Sequence, residues 1–159
     1  NVEARTNLAL GSLMAGAAFS NAMVGMVHAI GHSLGGLCHI PHGQAMMMLL
    51  PHCVKYNVEQ GIHAGLYGEL LAALAPARAS ALGPDASADA RDQAFCEHLF
   101  SLNQLYHDTY GVPLTLSELG VERSQLEAIA TQARYDGAAL YNKTELTIEV
   151  AMKILEAAF

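Results

Sequence analysis

Apolar residues along this chain recur three and four positions apart, the spacing of helices with one buried face. Residues 3 to 19 carry Ala, Leu and Met at that spacing, and Ser20-Asn21 marks a break or kink. Helix resumes over 21 to 34, with Asn21 as its N-cap and Gly35-Gly36 as its end. Pro41 opens the next helix from its first turn, where a missing N–H is harmless. That helix runs toward Tyr56-Asn57, with a kink at Pro51. Another is predicted over 59 to 75. Pro76 to Asp89, rich in Ala, Ser, Gly and Pro, reads as a surface loop. A helix over 88 to 109 follows, with Phe95, Leu99, Leu102 and Leu105 as its apolar stripe. Gly111-Val-Pro113 is a turn and Leu116 to Gly120 a connector; Val121 to Ser124 lead into a helix ending near Tyr135. Gly137 to Lys143 reads as irregular, and Thr147 caps a terminal helix over 148 to 159. Nowhere do β-branched residues alternate over five positions. The pattern predicts an all-α helical bundle.

Composition sharpens this picture. The chain has 159 residues, of which 52% are hydrophobic and only 14% charged. From residue 6 to residue 54 there is no Lys, Arg, Asp or Glu. Residues 8 to 30 are therefore long and apolar enough to raise the question of a membrane span, which needs about 20 residues. Ser12, Ser20, Asn21 and His28, with no basic or aromatic flanks, argue instead for a helix pair buried on most sides of a globular domain. A formal charge of −7 without a basic cluster leaves nothing to neutralise a phosphate backbone, so nucleic acid is not an expected partner. Cys38, Cys53 and Cys96 are odd in number and lack CxxC spacing, which favours a reduced, cytoplasmic setting over a disulfide scaffold. No signal peptide precedes the first apolar run, and Asn1 reads as a start inside a longer chain.

The candidate chemistry lies in the histidines. Five of the eight fall between positions 28 and 52. His28 and His32 are one helical turn apart on one face, with Gly25 and Gly35 nearby to leave room for a ligand. The short connection from Gly35 to Ile40 predicts an antiparallel hairpin that brings His42 back alongside His28. Neutral imidazole is the commonest metal ligand, so three converging imidazoles point to a metal site. His28-Ala-Ile-Gly-His32 has the His-x-x-x-His spacing of zinc proteases without their Glu. A complete site takes about four ligands, commonly with a carboxylate, and nothing in the sequence nominates Glu59, the nearest one. The chain is expected to hold part of a site.

The stretch GMVHAIGHSLGGLCHIPHGQAMMMLLPHCVKYN, residues 25 to 57, closely resembles a signature region of the iron-containing alcohol dehydrogenases. Glu3-Ala-Arg5 and Leu146-Thr147 also look like that family. The resemblance implies that residues 1–159 form the C-terminal metal-binding helical domain of a dehydroquinate synthase-like fold, in a protein more than twice this long. Members bind one divalent metal, Fe²⁺ or sometimes Zn²⁺, through an Asp and three His; two of those His match His28 and His42. His32 matches the histidine to which the family's proton relay is ascribed, and Phe19 a residue lining the substrate cleft. The Asp, the third His and the NAD(P)-binding domain with its Gly-rich phosphate loop are expected upstream of Asn1. His39 matches a variable turn position, and His52 is read as structural. Asn142-Lys143 stands where many members have Asn-Pro.

The implied activity is hydride transfer between a small alcohol and NAD or NADP, yielding an aldehyde or ketone. The partners implied are that alcohol or aldehyde and a second copy in a homodimer. Without the upstream ligands the 159 residues alone are expected to be inactive. Two other readings fit the residues: a non-enzymatic helical module binding metal or another subunit, and a core whose histidines are all hydrogen-bonded.

Overall fold

The computed structural model describes residues 1–62 and 64–159, and the elements among them are helices. Eight α-helices follow one another: α1 (Val2–Ala22), α2 (Met26–Cys38), α3 (His42–Glu59), α4 (Leu66–Leu74), α5 (Pro76–Ala81), α6 (Ala88–Tyr110), α7 (Leu126–Arg134) and α8 (Ile148–Ala157). Short 3₁₀ turns at Arg123–Gln125 and Gly137–Tyr141 flank α7. The all-α fold expected from periodicity is the one observed.

The core has two parts. In the larger, α2 packs on α3 and α7, and α7 on α8. Ile30, Leu34, Leu49, Leu126, Ile129, Leu146 and Leu155 are buried there. Each such side chain withdrawn from water contributes about 1.5–3 kcal/mol before the loss of chain entropy is set against it. In the smaller part, α6 packs on α3 and α4 around Val54, Val58, Leu71, Phe95 and Leu99. The long α3 therefore belongs to both parts, and its apolar residues face two ways. Of the stripe predicted on α6, Phe95 and Leu99 are buried, whereas Leu105 is exposed.

Two local conflicts are settled by side chains from α6. Pro51 has no N–H to give the Met47 carbonyl one turn earlier. Asn103 Nδ2 donates to that carbonyl at 2.9 Å instead. Helix α4 begins at Gly65, which has no side chain to cap it. The buried Asp92 carboxylate accepts from Gly65 N at 2.6 Å and Gly68 N at 2.7 Å, serving the free N–H groups of that helix start. Gly68 is required here, because a Cβ would lie 2.6 Å from Arg91 Cβ.

Several boundaries differ from the sequence pattern. Ser20 Oγ and Asn21 Nδ2 donate to carbonyls four residues back, at Gly16 and Ala17, and the helix continues through them. The break comes at residues 23 to 25, and Gly25, not Asn21, stands at the N-cap of α2. Gly35-Gly36 lies inside α2, which ends at His39 in the left-handed conformation (φ 58°). Pro41 is the N-cap of α3 rather than its first residue. Part of the expected 76–89 loop is helix α5, with Pro76 at its first position. The helix expected over 59–75 is confined to α4; residue 63 of that range lies outside the described residues. Thr147 caps α8 as expected, its hydroxyl accepting from Val150 N.

The largest difference concerns α1. Burial on most sides holds for α2 but fails for α1, which has no buried residue; Leu8, Leu13 and Met14 are 77%, 69% and 71% exposed. Apolar residues spread around the whole circumference of α1, so no single face is marked for the core. The α1 and α2 axes meet at 107°. Among the described residues no single helix is long and apolar enough to cross a membrane; α1 and α2 reach that length and composition only when taken together across the bend.

His52 behaves as a structural residue. It sits edge-on to Phe100, with ring centroids 5.1 Å apart. Burial, aided by the Lys55 charge, pushes its pKa down to about 4. Between about pH 6.5 and 4 the unfolded chain binds a proton there that the folded one refuses, so stability falls as pH falls through this window. The loss attributable to His52 is on the order of 2 kcal/mol. Urea midpoints measured from pH 7 to pH 4 should show His52→Gln losing less stability than the wild type. An unchanged slope would refute the assignment.

Candidate active site

Three local features bring the histidines together. The i, i+4 spacing on α2 puts His28 and His32 one above the other. The left-handed His39, with its N–H bonded to Gly35 O at 3.1 Å, turns the chain sharply. Buried Ile40 and the fixed φ of Pro41 then aim α3 back along α2, with His42 in its first turn. The Met46 side chain lies over Gly31, in space that a Cβ there would share.

The result is a triangle of imidazoles. Ring centroids are 5.7 Å apart for His28 and His32, 5.5 Å for His28 and His42, and 5.9 Å for His32 and His42. They form one wall of a pocket of about 400 Å³ whose other walls come from Phe19, Ser20, Met23 and Val24 at the α1–α2 bend. All four residues singled out from the sequence, Phe19, His28, His32 and His42, therefore line one pocket. His39 is a turn residue and His52 lies elsewhere, beside Phe100.

Asp136 is the residue that the sequence pattern does not indicate. It sits 104 positions from His32, just after α7. Its Oδ1 accepts from Ala138 N at 2.8 Å, and its Oδ2 lies 3.0 Å from His32 Nδ1. An ionised carboxylate only accepts, so this contact places a proton on Nδ1 and leaves Nε2 as the basic nitrogen. No spacing rule links Asp136 to His32. The bend residues Met23 and Val24 were also unmarked, because the expected break lay earlier, at Ser20-Asn21.

The pKa of His28 is lowered, first by burial and then by repulsion from His32 and His42, against a smaller opposing pull from Asp136. A neutral imidazole is the form that ligates metal. The 5.5 Å between the His28 and His42 ring centroids is close to the roughly 5 Å of two imidazoles bound tetrahedrally to one cation at about 2.0–2.1 Å. The fit is partial. Among the described residues no three His, Cys, Asp or Glu side chains are arranged as a ligand set, and His32 is engaged by Asp136.

Comparison with known proteins gives this arrangement a family. The family model of the Fe-containing alcohol dehydrogenases, C-terminal part, matches residues 1–159. The chain is 35% identical over 164 residues to 1,3-propanediol dehydrogenase of Klebsiella pneumoniae, covering 100% of this chain and 38% of that one. It is 32% identical over 157 residues to lactaldehyde reductase of Escherichia coli, covering 99% and 38%. The crystal structure of a 1,3-propanediol oxidoreductase superposes with a TM-score of 0.86 at 31% identity, over 100% of this chain and 39% of that one. This chain belongs to the Fe-containing alcohol dehydrogenase family. It spans about two fifths of the length of these relatives.

In the metal-free folded protein, His28 should titrate at lower pH than an ordinary histidine. Asp136→Asn removes the one raising influence and should lower it further. Imidazole titration followed by NMR measures both. A rise in the variant would contradict the placement of Asp136.

Proposed function

We propose that residues 1–159 form the metal-binding half of an NAD(P)-dependent alcohol dehydrogenase that oxidises a small alcohol to an aldehyde or ketone. The observation that carries this reading is the imidazole triangle set into an apolar-walled pocket in a chain of this family. His28 and His42 are the two ligands this chain gives to a divalent cation, Fe²⁺ or Zn²⁺; the remaining ligands, an Asp and a His, come from a preceding segment. The cation, when bound, supplies Lewis acidity that favours loss of the alcohol's hydroxyl proton.

The chain's own residues do the rest. Phe19, Met23 and Val24 hold the carbon skeleton against apolar surface and keep water from the reacting carbon. Asp136 fixes His32 with Nε2 unprotonated, so that Nε2 receives the hydroxyl proton and passes it to solvent. A nicotinamide cofactor, when bound, would supply the acceptor for the carbon's hydride and its two electrons. Most contacts to the nicotinamide cofactor are assigned to a preceding segment on the strength of the family resemblance.

The rival reading is a helical module that stores metal without catalysis. Elemental analysis separates the two, because storage requires stoichiometric metal in the isolated chain. The present reading expects substoichiometric metal and no turnover there. In the intact dehydrogenase, His28→Ala should abolish metal content and reduce kcat/KM at least about 10³-fold. Retention of full metal content by that variant would overturn the ligand assignment.

A further inference from the structure

One lining residue of the pocket has a backbone that its side chain does not suit. Met23 ends α1 at φ 63° and ψ −174°. This is a region that essentially only glycine occupies, because any Cβ there crowds the adjoining peptide. Burial does not offset the strain, since Met23 is 44% exposed. The conformation is imposed from both sides. On one side, Met23 N–H donates to Phe19 O at 2.8 Å and closes α1. On the other, Asn142 holds the start of α2: Met26 N–H reaches Asn142 Oδ1 at 3.5 Å, and a Cβ on Gly25 would lie 2.9 Å from the same oxygen. The chain must turn by 107° between these anchors, and residue 23 absorbs the turn.

What the strained position presents is a long, flexible thioether that lines the same pocket as Phe19, Val24 and the three imidazoles. A glycine there would satisfy the backbone better. Strained residues of this kind concentrate at functional sites, where the side chain's position matters more than the local conformational energy. We propose that Met23 is a specificity-determining residue. Its side chain narrows the pocket beyond the carbinol carbon, admitting short unbranched alcohols and excluding branched or aromatic ones. This rests on the dehydrogenase reading of the same pocket, and it assigns the substrate class to a residue outside the imidazole triangle.

The intact dehydrogenase carrying Met23→Gly or Met23→Ala tests it, with 1-propanol as the short alcohol and benzyl alcohol as the bulky one. Both variants remove the thioether, so both should raise the ratio of kcat/KM for benzyl alcohol over 1-propanol about tenfold or more. Only Met23→Gly relieves the backbone, so it should melt about 2–4 °C above Met23→Ala. Metal content should be unchanged in both. A ratio within twofold of wild type in both variants, with alcohol oxidation intact, overturns this inference alone. Equal melting temperatures overturn the claim that residue 23 is held under strain for the sake of the pocket. Failure of the wild-type protein to oxidise any alcohol overturns the reading of the site and this inference with it.

Discussion

The close antiparallel pairing of α2 and α3 is the constraint on which the rest depends. His39 makes it possible, because its left-handed backbone reverses the chain in a few residues, and the Met46 side chain packs over Gly31. Pro41 adds a fixed φ at the start of α3. Once the two helices are antiparallel and close, His42 must stand beside His28 and His32. The same pairing buries Ile30, Leu34 and Leu49 in the larger core. Packing energy and site geometry thus come from one contact, and a change that loosens the hairpin disturbs both.

Charge is used sparingly around that contact. The hairpin itself carries no Asp, Glu or Arg before Lys55, and burial favours the neutral form of His28. The one carboxylate that reaches the triangle, Asp136, arrives from the turn after α7 and is already held by Ala138 N. It orients His32 through its Oδ2. Elsewhere, polar side chains repair particular defects in the helices. Asn103 serves the carbonyl that Pro51 cannot, and Asp92 caps a helix that begins on glycine. Asn142 links the start of α2 to Asn57 and Thr144, tying the α1–α2 bend to the loop before α8.

Much of this was legible along the chain because it is local. Helical spacing, the i, i+4 pair of His28 and His32 and the Thr147 cap each depend on a few neighbouring residues. The misjudged boundaries have local explanations as well. Ser20 and Asn21 are breakers only when their side chains compete for the backbone. Here they bond back to Gly16 and Ala17 and stay helical. Gly35-Gly36 is tolerated inside α2, while the left-handed end falls on His39. The exposure of α1 was not legible, because an uncharged run shows that a surface is apolar and does not show what packs on it.

By itself, the sequence determined the all-α class, the hairpin, the convergence of His28, His32 and His42, and, through its resemblance, the family to which the chain belongs. These follow from short-range geometry and from a motif contained in 33 consecutive residues. Only the tertiary structure decided that Asp136 fixes His32, that Asn142 pins the α1–α2 bend, and that the bend falls on Met23 at the pocket wall. Each of these joins segments about 100 residues or more apart, or depends on a backbone angle set from both ends. Such relations arise when helices pack, and no periodicity along the chain records which distant side chains the packing will bring together.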